Sequence, residues 1–139
     1  MTDIQAMLVA QEGLRYKVYL DTLGIETIGV GRNLRDKGIT ETEAMMLLSN
    51  DIADAIDDIR HNFSCYDNLS RPRQLVLISL AFQLGRERLS KFVRFIGAVH
   101  LGKYDEAADE LLDSKAAQQT PARYKQLAAM MRDNVSQWV

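Results

Sequence analysis

Only one stretch of this 139-residue chain, from Leu14 to Gly31, carries the two-residue alternation of a strand. Leu14-Arg15-Tyr16-Lys17-Val18-Tyr19 alternates, Asp21-Thr22-Leu23-Gly24 reads as a turn, and Glu26-Thr27-Ile28-Gly29-Val30-Gly31 is a second short strand. These segments predict a β-hairpin. Everything else follows helical spacing, so the fold class is α+β, mainly α. Gly29 and Gly31 do not form a dinucleotide-binding loop, because the third glycine of that fingerprint would fall on Leu34. In strands, glycine more often marks a bulge or a close backbone approach.

The helical segments carry their own punctuation. Thr2 and Gln5 form a capping box that opens a first helix, with Ile4, Met7 and Leu8 as its apolar stripe and Gly13 as its stop. Thr40 and Glu43 form a second box. Behind it, Ala44, Leu48, Ile52, Ala55, Ile56 and Ile59 predict a helix of about 20 residues, or ~30 Å. Ser70 and Pro72 open a helix running through Leu75–Leu84 that is apolar nearly all round, hence buried, with Gly85 able to end it. Leu89–Val99 and Tyr104–Leu112 suggest further helices. Gln118-Gln119-Thr120-Pro121 supplies a loop, an N-cap and a proline start for the last one, built on Tyr124, Leu127, Ala128, Met131 and Val135. Met130 and Met131 read as core.

Composition removes several classes. One cysteine, Cys65, excludes an internal disulfide. His61 and His100 are isolated, and the Asp51, Asp54, Asp57, Asp58 series lacks the glycine and glutamate of a calcium loop, so no metal or cofactor is expected. No apolar run is long enough for a membrane span, and Asp3 stands where a secretory signal would be basic. The expectation is synthesis in the cytoplasm. The net charge of −2 divides into 0 for residues 1–38, −6 for 39–70 and +4 for 71–139. A near-neutral chain is a poor nucleic-acid binder, and Arg71, Arg73, Arg86, Arg88, Lys91 and Arg94 read first as a solvated surface.

Neither histidine sits in a nucleophile motif, which leaves Glu12 and Asp21. Glu12 continues the Ile4–Leu8 stripe into the last helical turn, facing core or cleft. Burial and the partly negative helix end would both disfavour its charge. Asp21 opens a polar turn that favours ionisation. Glycoside hydrolysis needs such a pair, one carboxyl protonated and one charged. Thr27, across the hairpin, offers a hydroxyl to hold a water.

Glu12-Gly13-Leu14-Arg15, Tyr19-Leu20-Asp21-Thr22-x-Gly24 and Thr27-Ile28-Gly29-Val30-Gly31 together resemble the active-site hairpin of phage-type lysozymes, glycoside hydrolase family 24. Gly38-Ile39-Thr40, Phe82-Gln83-Leu84-Gly85, Tyr104-Asp105-Glu106-Ala107-Ala108 and Gln119-Thr120-Pro121-x-Arg123 extend the likeness over nearly the whole chain. The resemblance implies a single lysozyme-like domain over 1–139. A small β lobe would cover about 14–38 and a connecting helix 40–60, with a helical lobe from 1–12 and 61–139. It implies a muramidase that cleaves the β-1,4 bond between N-acetylmuramic acid and N-acetylglucosamine, lysing a host cell. Glu12 matches the general acid. Asp21 with Thr27 matches the water-activating group, giving inversion. Gln83 and Arg123 match substrate-binding positions. Arg123 also stands at the third position of its helix, where a cation opposes the dipole unless a carboxylate such as Glu12 or an anionic substrate group answers it. A monomer suffices, and release through a holin-type lesion into the periplasm is expected.

Three departures mark this chain. Only seven residues separate Gly31 from Ile39, which predicts a reduced small lobe. Arg32 follows the glycines where T-even members have histidine, with Asp51 a possible partner. Ala116-Ala117 replaces an aromatic pair. The alternatives are a catalytically weak peptidoglycan-binding or virion-structural domain, a basic helical regulator, and cleavage of chitin or chitosan.

Overall fold

Thr2 starts the first helix as its capping box predicts. Its hydroxyl accepts the Gln5 N–H at 3.2 Å, and Gln5 Oε1 accepts the Thr2 N–H at 2.8 Å. The computed structural model describes residues 1–136. Their elements run α1 (Asp3–Glu12), β1 (Arg15–Leu20), β2 (Glu26–Gly29), β3 (Arg32–Asn33), α2 (Glu41–Asn62), α3 (Arg71–Ser90), α4 (Val93–His100), α5 (Tyr104–Leu112), α6 (Lys115–Gln119) and α7 (Pro121–Asp133), with a 3-10 turn at Tyr66–Asn68. This is the expected mainly helical α+β fold. The last three residues of the expected domain lie outside the described ones. Internal contacts gather the chain into two units, Met1–Leu47 and the chain from Leu48 on.

In the first unit the strands form an antiparallel sheet in the order β1-β2-β3. Tyr19 pairs with Thr27 and Leu20 with Glu26, with an irregularity between Arg15 and Tyr19. Thr27 pairs in turn with Asn33, and Ile28 with Arg32. The hairpin is therefore as expected, but the third strand is an addition. Its two residues are too short to show a period. α1 belongs to this unit by contact and ends at Gly13, whose φ of 81° is open to glycine.

Arg32 does not need Asp51. Its guanidinium grips Glu43, with Nη2 to Oε2 at 2.8 Å, and Nη1 also donates to the Gly38 carbonyl at 3.0 Å. Glu43 is the available partner because the capping box already fixes it: Glu43 Oε1 accepts the Thr40 N–H at 2.9 Å, and Thr40 Oγ1 accepts the Glu43 N–H at 3.2 Å. The arginine, then the threonine N–H, hold the Glu43 carboxyl down to about 2.

In the second unit the α2 stripe behaves as read, with Ala55 and Ile59 buried and Ile52 and Ile56 half-buried. The core adds Phe63, Leu77, Leu80, Leu89, Phe95, Leu111, Tyr124 and Met131, all fully enclosed. Met130 and Met131 are core residues as expected. Two expectations change. α3 is not buried all round: Phe82 is 49% exposed, and the helix breaks at Gly85, where φ is 76° and ψ 170°. Gln118 and Gln119 are not loop but the end of α6. That short helix is opened by Ser114, whose hydroxyl accepts the Ala117 N–H, and it buries Ala116 and Ala117. Thr120 precedes α7 without capping it, because its hydroxyl turns back to the Ala116 carbonyl at 3.2 Å. Among the described residues no helix is long and apolar enough to cross a membrane.

Candidate functional site

Asp21 follows β1 directly and starts the turn to β2. Its backbone closes that turn, accepting the Gly24 N–H and donating to the Ile25 carbonyl, both at 3.0 Å. Its side chain folds into the same loop. Oδ1 accepts the Leu23 N–H at 2.8 Å and the Ile25 N–H at 2.9 Å. Such side-chain-to-backbone bonding is what aspartate does in turns. Here it occupies one carboxylate oxygen and leaves Oδ2 for something else. Asp21 is half-buried.

Thr27 sits on β2 opposite Tyr19 and is buried, at 3% exposure. Its hydroxyl donates to the Ile25 carbonyl at 2.8 Å. With its only proton committed, Oγ1 can offer lone pairs alone. Asp21 and Thr27 are thus both tied to the main chain of Ile25, one through its N–H and the other through its carbonyl, and present two acceptors.

Glu12 is the last residue of α1, as the stripe predicts, but it is exposed within its unit. The burial expected for it is absent, because α1 buries no residue at all. What remains of the expectation is its position at the end of α1. Gly31 lies beside its carboxyl: a Cβ on Gly31 would sit 3.5 Å from Glu12 Oε2, an ordinary van der Waals contact. What favours glycine at 31 is its φ of 67°, not lack of space for a Cβ. Glu12, Asp21 and Thr27 all lie in the first unit.

Gln83 and Arg123 lie in the second unit. Gln83 is on α3 just before the Gly85 break, and its Oε1 accepts the Tyr124 hydroxyl at 2.9 Å. Arg123 is on the first turn of α7. Its Nη2 donates to the Ser79 carbonyl at 3.2 Å and the Ser79 hydroxyl at 2.9 Å. These two oxygens supply the answer to an unfavourably placed cation within its own unit. Arg123 also lines an apolar groove of about 920 Å³ with Leu48, Ile52, Ile78, Phe82 and Met130.

Three contacts had no sequence signal. The Ile25 main chain serves both Asp21 and Thr27, Tyr124 holds Gln83, and Arg35 reaches the turn. Arg35 pairs with both oxygens of Glu26, at 2.9 and 3.0 Å, and its Nη2 donates to the Gly24 carbonyl at 3.2 Å. The arginine draws the Glu26 carboxyl below its usual range.

Comparison with known proteins agrees with the residues that suggested a lysozyme. The family model described as phage lysozyme matches residues 9–132. A pre-baseplate central spike protein of Enterobacteria phage T4 is 32% identical over 84% of this chain, which spans only 25% of that protein's length. "Probable T4-type lysozyme 2" of Dictyostelium discoideum is 28% identical, covering 88% of this chain and 89% of its own. "Probable T4-type lysozyme 1" of the same organism is 26% identical, covering 94% of each. With the family match running from α1 to α7, the chain belongs to the phage lysozyme family, a family of glycoside hydrolases.

Proposed function

We propose that this protein is a peptidoglycan muramidase, hydrolysing the β-1,4 bond between N-acetylmuramic acid and N-acetylglucosamine. The observation that carries it is the pair of acceptors, Asp21 Oδ2 and Thr27 Oγ1, on side chains both tied to the main chain of Ile25 in the hairpin that follows Glu12. A water seated there donates one hydrogen to each. Its lone pair is then free to attack the anomeric carbon. As the new carbon–oxygen bond forms and the glycosidic bond breaks, Asp21 takes a proton from the water and Glu12 gives one to the leaving oxygen. Direct attack inverts the anomeric centre. Gln83 and Arg123 take the substrate-contact roles that the family likeness gives their positions.

The biological setting is wall degradation that lyses a host cell. The chain is made in the cytoplasm, passes a membrane lesion of the holin type and acts as a monomer in the periplasm. The likeness to a phage spike protein, of which it spans a quarter, favours a second setting for the same chemistry, as a module of a virion protein. Turbidity loss of permeabilised Gram-negative cells tests the enzymatic reading. Glu12→Gln should lower the rate at least ~10²-fold, the usual scale of general acid catalysis. Lysis at the wild-type rate by the variant contradicts it.

A further inference from the structure

The two groups proposed to hold the water do not position themselves; the main chain of one residue, Ile25, bonds to both. The Ile25 N–H donates to Asp21 Oδ1 at 2.9 Å, while the Ile25 carbonyl accepts the Thr27 hydroxyl at 2.8 Å and the Asp21 N–H at 3.0 Å. The N–H, on the Gly24–Ile25 peptide, decides which Asp21 oxygen is spare, and the carbonyl, on the next peptide, decides which way the Thr27 proton points. The first of these peptides is oriented by Gly24. Gly24 holds φ at 75°, a conformation that costs little for glycine and is unfavourable for residues with a Cβ. Nothing lies within 4 Å of the place a Gly24 Cβ would occupy, so no clash or packing would add to the effect of a side chain there. Arg35 braces the turn from outside through the Gly24 carbonyl.

We infer that Gly24 is a positioning residue for hydrolysis: its left-handed backbone aims the Gly24–Ile25 peptide, whose N–H holds Asp21 Oδ1, and so places Ile25, whose carbonyl holds the Thr27 hydroxyl, such that both side chains offer acceptors to the water. The inference rests on the muramidase reading and adds that the turn's main chain, not only its side chains, sets turnover. Gly24 has no side chain to offer a substrate, so its effect is expected on kcat and not on the sacculus concentration that gives half-maximal rate.

The test measures reducing ends released from purified sacculi by wild type, Gly24→Ala, Gly24→Asn and Arg35→Ala, with thermal melts alongside. Gly24→Ala should lower kcat about 5- to 30-fold, the factor that one left-handed alanine imposes on the clamped population, at unchanged half-saturation. Gly24→Asn should recover most of that loss, because asparagine tolerates the left-handed region. If Gly24→Ala fails to fold, Arg35→Ala carries the test, with a several-fold fall in kcat and unchanged half-saturation. Wild-type kcat in the folded variants overturns the inference, as does a loss in Gly24→Ala that Asn fails to recover. Inactive wild-type protein would instead overturn the muramidase reading, so the two failures are distinct.

Discussion

One hydrogen bond in the second unit should have two very different costs, depending on which end is removed. The Tyr124 hydroxyl donates to Gln83 Oε1 at 2.9 Å. Tyr124 is fully enclosed, while Gln83 is half-buried. Burial raises the Tyr124 hydroxyl above its ordinary titration range, in keeping with a group shut away from water. Tyr124→Phe keeps the ring and leaves Gln83 Oε1 where water reaches the side chain. It should therefore cost only the net value of a neutral hydrogen bond, about 0.5–1.5 kcal/mol. Gln83→Leu strands the hydroxyl in the core with no water. It should cost the desolvation penalty as well, about 1–3 kcal/mol. The double variant should sit near Tyr124→Phe, because no orphan remains. Urea melts at unchanged m-value measure all three. A Gln83→Leu cost equal to or below that of Tyr124→Phe would refute the reasoning, since it would mean the hydroxyl finds another partner or water. Activity of Tyr124→Phe then tells whether the bond also orients Gln83 for substrate.

Other outcomes follow from other residues. Glu43 has a folded-state value of about 2 against an ordinary 4.5, so its pair with Arg32 adds stability above the ordinary value and loses it as pH falls through about 2. Acid melts of wild type should show this dependence, and Glu43→Gln should flatten it; parallel curves would contradict the pairing. Leu111→Ala, at a fully enclosed site in α5, should cost roughly 2–5 kcal/mol by denaturant melt. Val93→Ala, at a site 70% exposed, should stay within about 0.5 kcal/mol. Thr27→Val should abolish one water acceptor and lower turnover while the melt moves little, whereas Thr27→Ser, which keeps the hydroxyl, should retain more activity.

Much of this architecture was legible because short-range rules and long-range packing agree. The boxes Thr2–Gln5 and Thr40–Glu43 form as spaced, and the Ala44–Ile59 stripe turns inward over most of α2. Illegible parts depend on partners distant in sequence or on elements too short for a period. β3 exists through two residues paired to β2, and α6 through a serine cap and two buried alanines. Arg32 pairs with Glu43, a carboxylate that also closes the helix cap, and the sequence alone did not single out that partner. At the site, residue types and order pointed to Glu12, Asp21 and Thr27. The Ile25 main chain linking Asp21 to Thr27 is a backbone fact with no side-chain signature, and Glu12 is exposed where its stripe suggested cover. A stripe specifies a face but not that anything covers it.

The central claim, direct attack by a water held between Asp21 and Thr27, is tested most directly by the anomeric configuration of the first product. Purified sacculi are digested in an NMR tube and the new reducing ends followed before mutarotation. The account predicts N-acetylmuramic acid ends that appear first as the α-anomer, inverted from the β bond. First appearance of the β-anomer, or no new reducing ends at all, would contradict it.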